Sequence, residues 1–119
     1  MYGVKKKESK MRLLKHYFKK FGLSHFLTCL NKNINCCSTG EKQRIKLTRL
    51  ILQNKKVWIL DEVTSNVDND TEKLILSELK KIQKEERKSV IHITHNIENK
   101  AFCDKIMVIK NKKVSISVV

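Results

Sequence analysis

At 119 residues, with no Pro and only three Gly, the chain has the length of one small domain or part of a larger one, built from long regular elements with few sharp turns. Its net charge is +14, yet Lys outnumbers Arg 22 to 4, the Lys residues scatter along predicted helices, and no aromatics interleave with them, so nucleic-acid binding is not expected. No apolar run nears the roughly 18–20 residues of a membrane span, and no apolar segment follows the basic start Met1–Lys7, so neither a span nor a secretory signal is expected.

The first stretch reads as a helix, with Leu14, Phe18 and Phe21 at i, i+4 and i+7 and Leu13 and Tyr17 beside them. Gly22 should end it. A short helix from Ser24 to Leu30 would turn Phe26, Leu27 and Leu30 inward, and Asn31–Asn35 reads as a loop. Ser38-Thr39-Gly40 then opens a helix from about Glu41 to Gln53, with Ile45, Leu47, Leu50, Ile51 and Leu52 apolar. Val57–Leu60 is a continuous apolar run, the pattern of a strand buried on both faces of a parallel sheet.

A polar turn from Thr64 to Asp70 caps a helix from about Thr71 to Arg87, with Ile75, Leu76, Leu79 and Ile82 on its buried side. Ser89–Ile93 reads as a second buried strand. A short helix near Glu98–Cys103 leads to strands 105–109 and 114–118, joined by a turn at Asn111-Lys112. The order strand, helix, strand, helix, strand is α/β, with an antiparallel hairpin last. Trp58 and Tyr17 are expected in the core, and His25 and His92 as surface or packing residues. Cys29, Cys36, Cys37 and Cys103 have no C-x-x-C spacing and no paired His motif, so they are expected as reduced cytosolic thiols rather than zinc ligands.

Chemistry gathers at the ends of three predicted elements. Asp61 and Glu62 close the first strand, where open α/β sheets bind ligands and where two carboxylates escape the cost of a core. One acid can hold a metal and the other can activate a water, which points to phosphoryl chemistry. Ser38-Thr39-Gly40 offers a helix N-terminus, whose free N–H groups and dipole favour phosphate. His95 ends the second strand and can reach a terminal phosphate oxygen. Taken singly, each has a plainer structural reading, as a strand-end acid pair, a helix cap or a structural histidine; their joint order makes coincidence unexpected.

In that order the segments resemble the ATP-binding domain of ABC transporters. Cys37-Ser38-Thr39-Gly40-Glu41-Lys42-Gln43-Arg44 is similar to the signature motif L-S-G-G-Q-x-Q-R. Leu60-Asp61-Glu62 resembles the Walker B strand end with its catalytic Glu, Ser65-Asn66-Val67-Asp68 the D-loop, and His95 the switch histidine. The resemblance covers about residues 12–114. It implies that Asp61 holds Mg²⁺ through water, that Glu62 is the general base and that His95 contacts the γ-phosphate. It implies further that Ser38, Thr39, Gly40 and Glu41 face ATP held by a second ATPase domain in a head-to-tail dimer, with Ser65 and Asp68 communicating across it.

The departures are Cys37 for Leu, Thr39 for the first Gly, and Val63 after the Glu. Thr39 adds a side chain where backbone would approach phosphate. A larger departure is the P-loop, G-x-x-x-x-G-K-[ST]: the three glycines precede Val4, Leu23 and Glu41, so no Gly-Lys pair exists. The expected fold class is therefore α/β, a partial P-loop NTPase sheet flanked by helices, with residues 1–36 as part of a helical subdomain and 37–119 as the C-terminal half of the ATPase core.

The expected function is ATP hydrolysis coupled to transmembrane transport, with exporter-type features in Asp61–Asp68 and Thr71-Glu72-Lys73, on a truncated or split segment that binds ATP poorly and aggregates alone. The implied cofactors are ATP and Mg²⁺. The implied partners are a second ATPase domain, a transmembrane transporter domain and the missing N-terminal half, at the cytoplasmic side of a membrane. Two other readings are a soluble ATPase of the same family working in translation or DNA maintenance, and a non-catalytic interaction module.

Overall fold

A computed structural model describes residues 2–28, 31 and 34–119. The expectations on Cys29, Leu30 and part of the 31–35 loop lie outside them. Helix α1 spans Tyr2–Lys20, α2 Thr39–Gln53 and α3 Asn69–Glu85; strands β1 to β4 span Val57–Asp61, Ser89–Ile93, Lys105–Lys110 and Lys113–Val118. Short 3-10 turns at Ser24–Thr28 and Ile97–Phe102 stand where short helices were expected. Both segments are short connectors, the length and place in which 3-10 turns are common.

Each helix ends for an identifiable reason. Gly22 adopts φ +71, Leu23 N donates to Phe18 O at 2.7 Å, and Gly22 N donates to Lys19 O at 3.3 Å. These two bonds form a Schellman motif that satisfies the last carbonyls of α1 and folds Leu23 back toward Phe18. At α2, Ser38 Oγ accepts from Glu41 N while Ser38 N donates to Glu41 Oε1, a complete capping box. Asn54 closes α2 in the left-handed region. Asp68 caps α3 by accepting from Thr71 N at 2.9 Å.

The core is continuous across the three helices and β1. Tyr17, Phe18, Phe21 and Leu23 meet Leu47 and Ile51 of α2, Trp58 and Leu60 of β1, and Ile75, Leu79 and Ile82 of α3. Each large side chain fully withdrawn from water contributes ~1.5–3 kcal/mol. Trp58 also lies under the Lys88 ammonium, 5.3 Å from its ring centroid. That buried ammonium donates to Asn54 Oδ1 and Lys55 O and pairs with Glu86. It thereby fastens the turn before β1 to the turn before β2.

Strands β1 and β2 pair in parallel, from Val57 beside Ser89 to Asp61 beside Ile93. One expectation needs correcting here: neither strand is buried on both faces. Trp58 and Leu60 point into the core, but Val57 and Ile59 are 55% and 66% exposed, and Ile91 and Ile93 are 56% and 48% exposed. The helices cover one face of the pair and nothing among the described residues covers the other. The β3–β4 hairpin pairs antiparallel as a separate sheet, turning through Asn111 and Lys112, both at positive φ as a two-residue hairpin loop requires. Met107, Ile109, Val114, Ile116 and Val118 share one exposed face of it.

Candidate functional site

Parallel pairing in this register brings the carboxyl ends of β1 and β2 together. Glu62 N donates to Ile93 O at 2.9 Å, so Asp61-Glu62 and Thr94-His95 leave the sheet side by side. Glu62 itself sits at φ +48, a left-handed conformation that a non-glycine residue holds only when its surroundings over-determine it. They do so through two bonds and a close contact besides: Glu62 O accepts from Ser65 N at 3.2 Å and from Gln43 Nε2 at 3.4 Å, and Glu62 Oε1 lies 2.6 Å from His95 Nε2.

The His95 side chain is 90% exposed and that of Glu62 43% exposed. An ion pair so open to water adds only ~0.2–1 kcal/mol to stability, so folding alone gives little reason for it. Asp61, next to this pair, is exposed and has no side-chain hydrogen bond or ion pair among the described residues.

A cleft of about 230 Å³ opens here, lined by Glu62, Thr64, Ser65, Glu72, Thr94, His95 and Asn96. Ser65 Oγ accepts from Gln43 Nε2 at 3.2 Å, which ties α2 to the turn after β1. Behind the cleft lies a carboxylate that had no site role assigned to it from the sequence. Glu72 is buried, and its Oε1 accepts from Thr64 Oγ1 at 2.6 Å and Asn99 Nδ2 at 2.9 Å. Its Oε2 accepts from Asn96 Nδ2 at 2.9 Å. Burial alone would push this carboxyl up, but the bonds from Thr64, Asn99 and Asn96 together outweigh it and hold it below the ordinary value. Half-buried His92 is pushed down by burial, against the opposing charge of Glu72.

The other candidates stand apart from the cleft. Ser38 and Glu41 are engaged with each other in the capping box, and His25 Nε2 reaches Glu41 Oε2 at 2.9 Å. Bonds from the Ser38 backbone, the His25 ring and the Ser38 hydroxyl hold the Glu41 carboxyl low. The N-terminus of α2 is thus already complemented by an anion of its own. Thr39 is exposed beside it. Gly40 has a packing reason for its identity: a Cβ there would lie 2.8 Å from Asn66 O. Asp68 caps α3, and the Thr71 hydroxyl and backbone N–H hold its carboxyl low.

Placed together are Asp61, Glu62, Ser65 and His95; placed elsewhere are Ser38, Thr39, Gly40, Glu41 and Asp68. Glu72, Gln43, Thr64, Asn96 and Asn99 join the first group. Glu72 did carry a signal: it lies in phase with Ile75, Leu76 and Leu79, a charge on the apolar stripe of its helix.

The donor set can be compared with the Mg²⁺ and triphosphate that the family resemblance implies. A free exposed carboxylate at Asp61 suits a hard cation held through water, and the half-exposed Glu62 suits a water beside it. The cleft is smaller than the 300–1,000 Å³ typical of a small-molecule pocket. The residues present thus fit the metal and attacking-water end of the group and not its nucleotide end. Among the described residues no three His, Cys, Asp or Glu side chains cluster as a direct metal cage, and no helix is long and apolar enough to cross a membrane. Cys36, Cys37 and Cys103 are free thiols.

A parallel βαβ unit with two acids and a histidine at its strand ends defines an α/β domain whose candidate site lies at the carboxyl edge of the sheet. Residues 2–65 match the family model described as ABC transporter. The chain is 36% identical over 115 residues to the molybdate/tungstate import ATP-binding protein WtpC of Methanocaldococcus jannaschii, covering 92% of this chain and 37% of that one. It is 39% identical over 89 residues to the ATP-dependent lipid A-core flippase of Aliivibrio fischeri, covering 75% and 15%. A solved structure of a metal-chelate type ABC transporter in an inward-facing conformation superposes with a TM-score of 0.71 at 21% identity, over 90% of this chain and 42% of that one. This chain belongs to the ABC transporter family, as part of its ATP-binding domain. It spans 6% of Multidrug resistance protein 1 of Plasmodium falciparum and 37% of the WtpC relative, well under two thirds of either.

Proposed function

We propose that this chain supplies the hydrolytic half of an ATPase site that drives transport across a membrane. The observation that carries the reading is Glu62: it is held at positive φ, next to an unpaired Asp61, with Oε1 on an exposed His95. Asp61 would hold Mg²⁺ through water, and the ion would supply neutralisation of phosphate charge when bound. Glu62 acts as general base. With Oε1 lying 2.6 Å from His95 Nε2, its Oε2 would be the atom that receives the proton of an attacking water. His95 fixes the carboxylate's rotation and presents the rest of its ring to a terminal phosphate.

Ser65 and Asp68 on the turn after β1, and Ser38, Thr39, Gly40 and Glu41 at the start of α2, are proposed to face a second ATPase domain across a head-to-tail dimer. The bare faces of β1–β2 and β3–β4 support a further partner, a P-loop-bearing half of the same domain that completes the sheet. Residues 1–36 would form part of a helical subdomain and residues 37–119 the core half. The site would work at the cytoplasmic side of transmembrane partners. The relatives include an importer component and a flippase, so the proposal concerns the shared ATPase and not the direction of transport.

Reconstitution tests this. The chain alone should show no Mg-ATP hydrolysis above background. Mixing it with the P-loop half of a relative should produce steady turnover that neither part shows alone. Turnover by the chain alone at the mixture's rate would contradict the division of labour.

A further inference from the structure

We infer that Glu72 is a positioning residue, which sets the contact between Glu62 and His95 by clamping the two loops that carry them. This rests on the reading of Glu62 and His95 as the hydrolytic pair.

The clamp's partners sit where such a role needs them. Thr64, which donates to Glu72 Oε1, lies two residues after Glu62. Asn96, which donates to Oε2, directly follows His95. Asn99 donates to Oε1 and also to Thr94 Oγ1 at 3.1 Å, and Thr94 Oγ1 accepts from Asn96 N at 3.0 Å. Both neighbours of His95 are therefore tied, through one carboxylate, to the segment of Glu62. The contact between Glu62 and His95 is itself too exposed to hold two loops in register.

Packing alone does not call for an acid at this position. An apolar residue would continue the stripe of Ile75, Leu76, Leu79 and Ile82 without desolvating a charge. The carboxylate also has the one chemistry the cluster accepts, because its partners arrive as donors on both oxygens. Asn96 cannot turn over to serve as acceptor without losing another bond, since its Oδ1 already caps the next turn by accepting from Glu98 N at 3.1 Å. In Glu72→Gln the new amide faces the Asn96 donor if set on one side, and if set on the other it meets Asn99 and Thr64, which must both reverse their roles to accept it. The shape is kept, and the clamp loses a bond or has to rebuild its donors.

The experiment reads the His95 ring signals by NMR on the full chain labelled in its four histidines, assigned by substituting His95. Glu62→Gln, which alters the partner directly, should shift them. Glu72→Gln should shift them the same way, by at least half as much, while a cooperative melt persists. Thr64→Val, which deletes one donor some thirty residues from His95, should move them in the same direction. It decides the matter if Glu72→Gln fails to fold. Lys20→Ala, which breaks the ion pair with Glu78 outside the cleft, should leave them in place. Folded Glu72→Gln or Thr64→Val chains with His95 at its wild-type position would overturn the clamp. If Glu62→Gln itself leaves His95 unmoved, the underlying pairing fails instead, and the clamp with it.

Discussion

Glu62 concentrates the account at the level of single residues, because its backbone conformation, its two carbonyl contacts and its ring partner all converge on one half-exposed carboxylate. Glu41 poses the opposite case, an anion seated where the family resemblance places a phosphate contact. Gln serves a capping box as well as Glu does, so Glu41→Gln should keep α2 capped while removing the charge. Binding of Mg-ATP to the reconstituted site should tighten several-fold, read by calorimetric titration; unchanged affinity would show that α2 does not face nucleotide.

The buried titratable groups predict a pH dependence with a definite sign. His92 and Glu72 both have folded values below their ordinary ones, so each contributes stability that is full at higher pH and lost on acidification. Unfolding midpoints by circular dichroism should fall first below about pH 6.5, through His92, and again below about pH 4, through Glu72. A midpoint that rises on acidification would contradict both assignments. Asp61, Glu62 and His95 were legible in the sequence because strand ends and motif order announce them. Glu72 was not assigned, since its partners Asn96 and Asn99 lie 24 and 27 residues away and only the fold joins them.

Elements were legible where local chemistry fixes a boundary. Gly22 stops α1 through its positive φ, the Ser38 to Glu41 spacing starts α2, and Asn111-Lys112 turns the last hairpin. The Ser38 cap is worth ~1 kcal/mol, so Ser38→Ala should lower the unfolding free energy by about that much, read by urea titration. A loss near zero would mean that α2 is held by packing alone. The strands were less legible. An apolar run such as Val57–Leu60 records what a strand is ready to bury but not whether a second layer is there to bury it. Here the helices take Trp58 and Leu60, and Ile59 stays in water.

Across the whole molecule, those uncovered faces and the lack of a Gly-Lys pair in this sequence point the same way. Val57, Ile59, Ile91 and Ile93 form one apolar surface on β1–β2, and the hairpin presents another. Such surfaces favour association. Replacing Ile59 and Ile91 together by Lys should raise the monomer fraction of the isolated chain in light scattering, and should prevent its pairing with a P-loop half. If pairing survives, the sheet face is not where the complementary half docks.

The central claim is that this chain carries the residues that cleave ATP while another segment holds the nucleotide. The most direct measurement is the steady-state hydrolysis rate of the chain joined with a P-loop half, wild type against Glu62→Gln. The account predicts a fall of roughly 100-fold or more, as expected for loss of a general base, with nucleotide still retained in the site. Equal rates in the two proteins would contradict it.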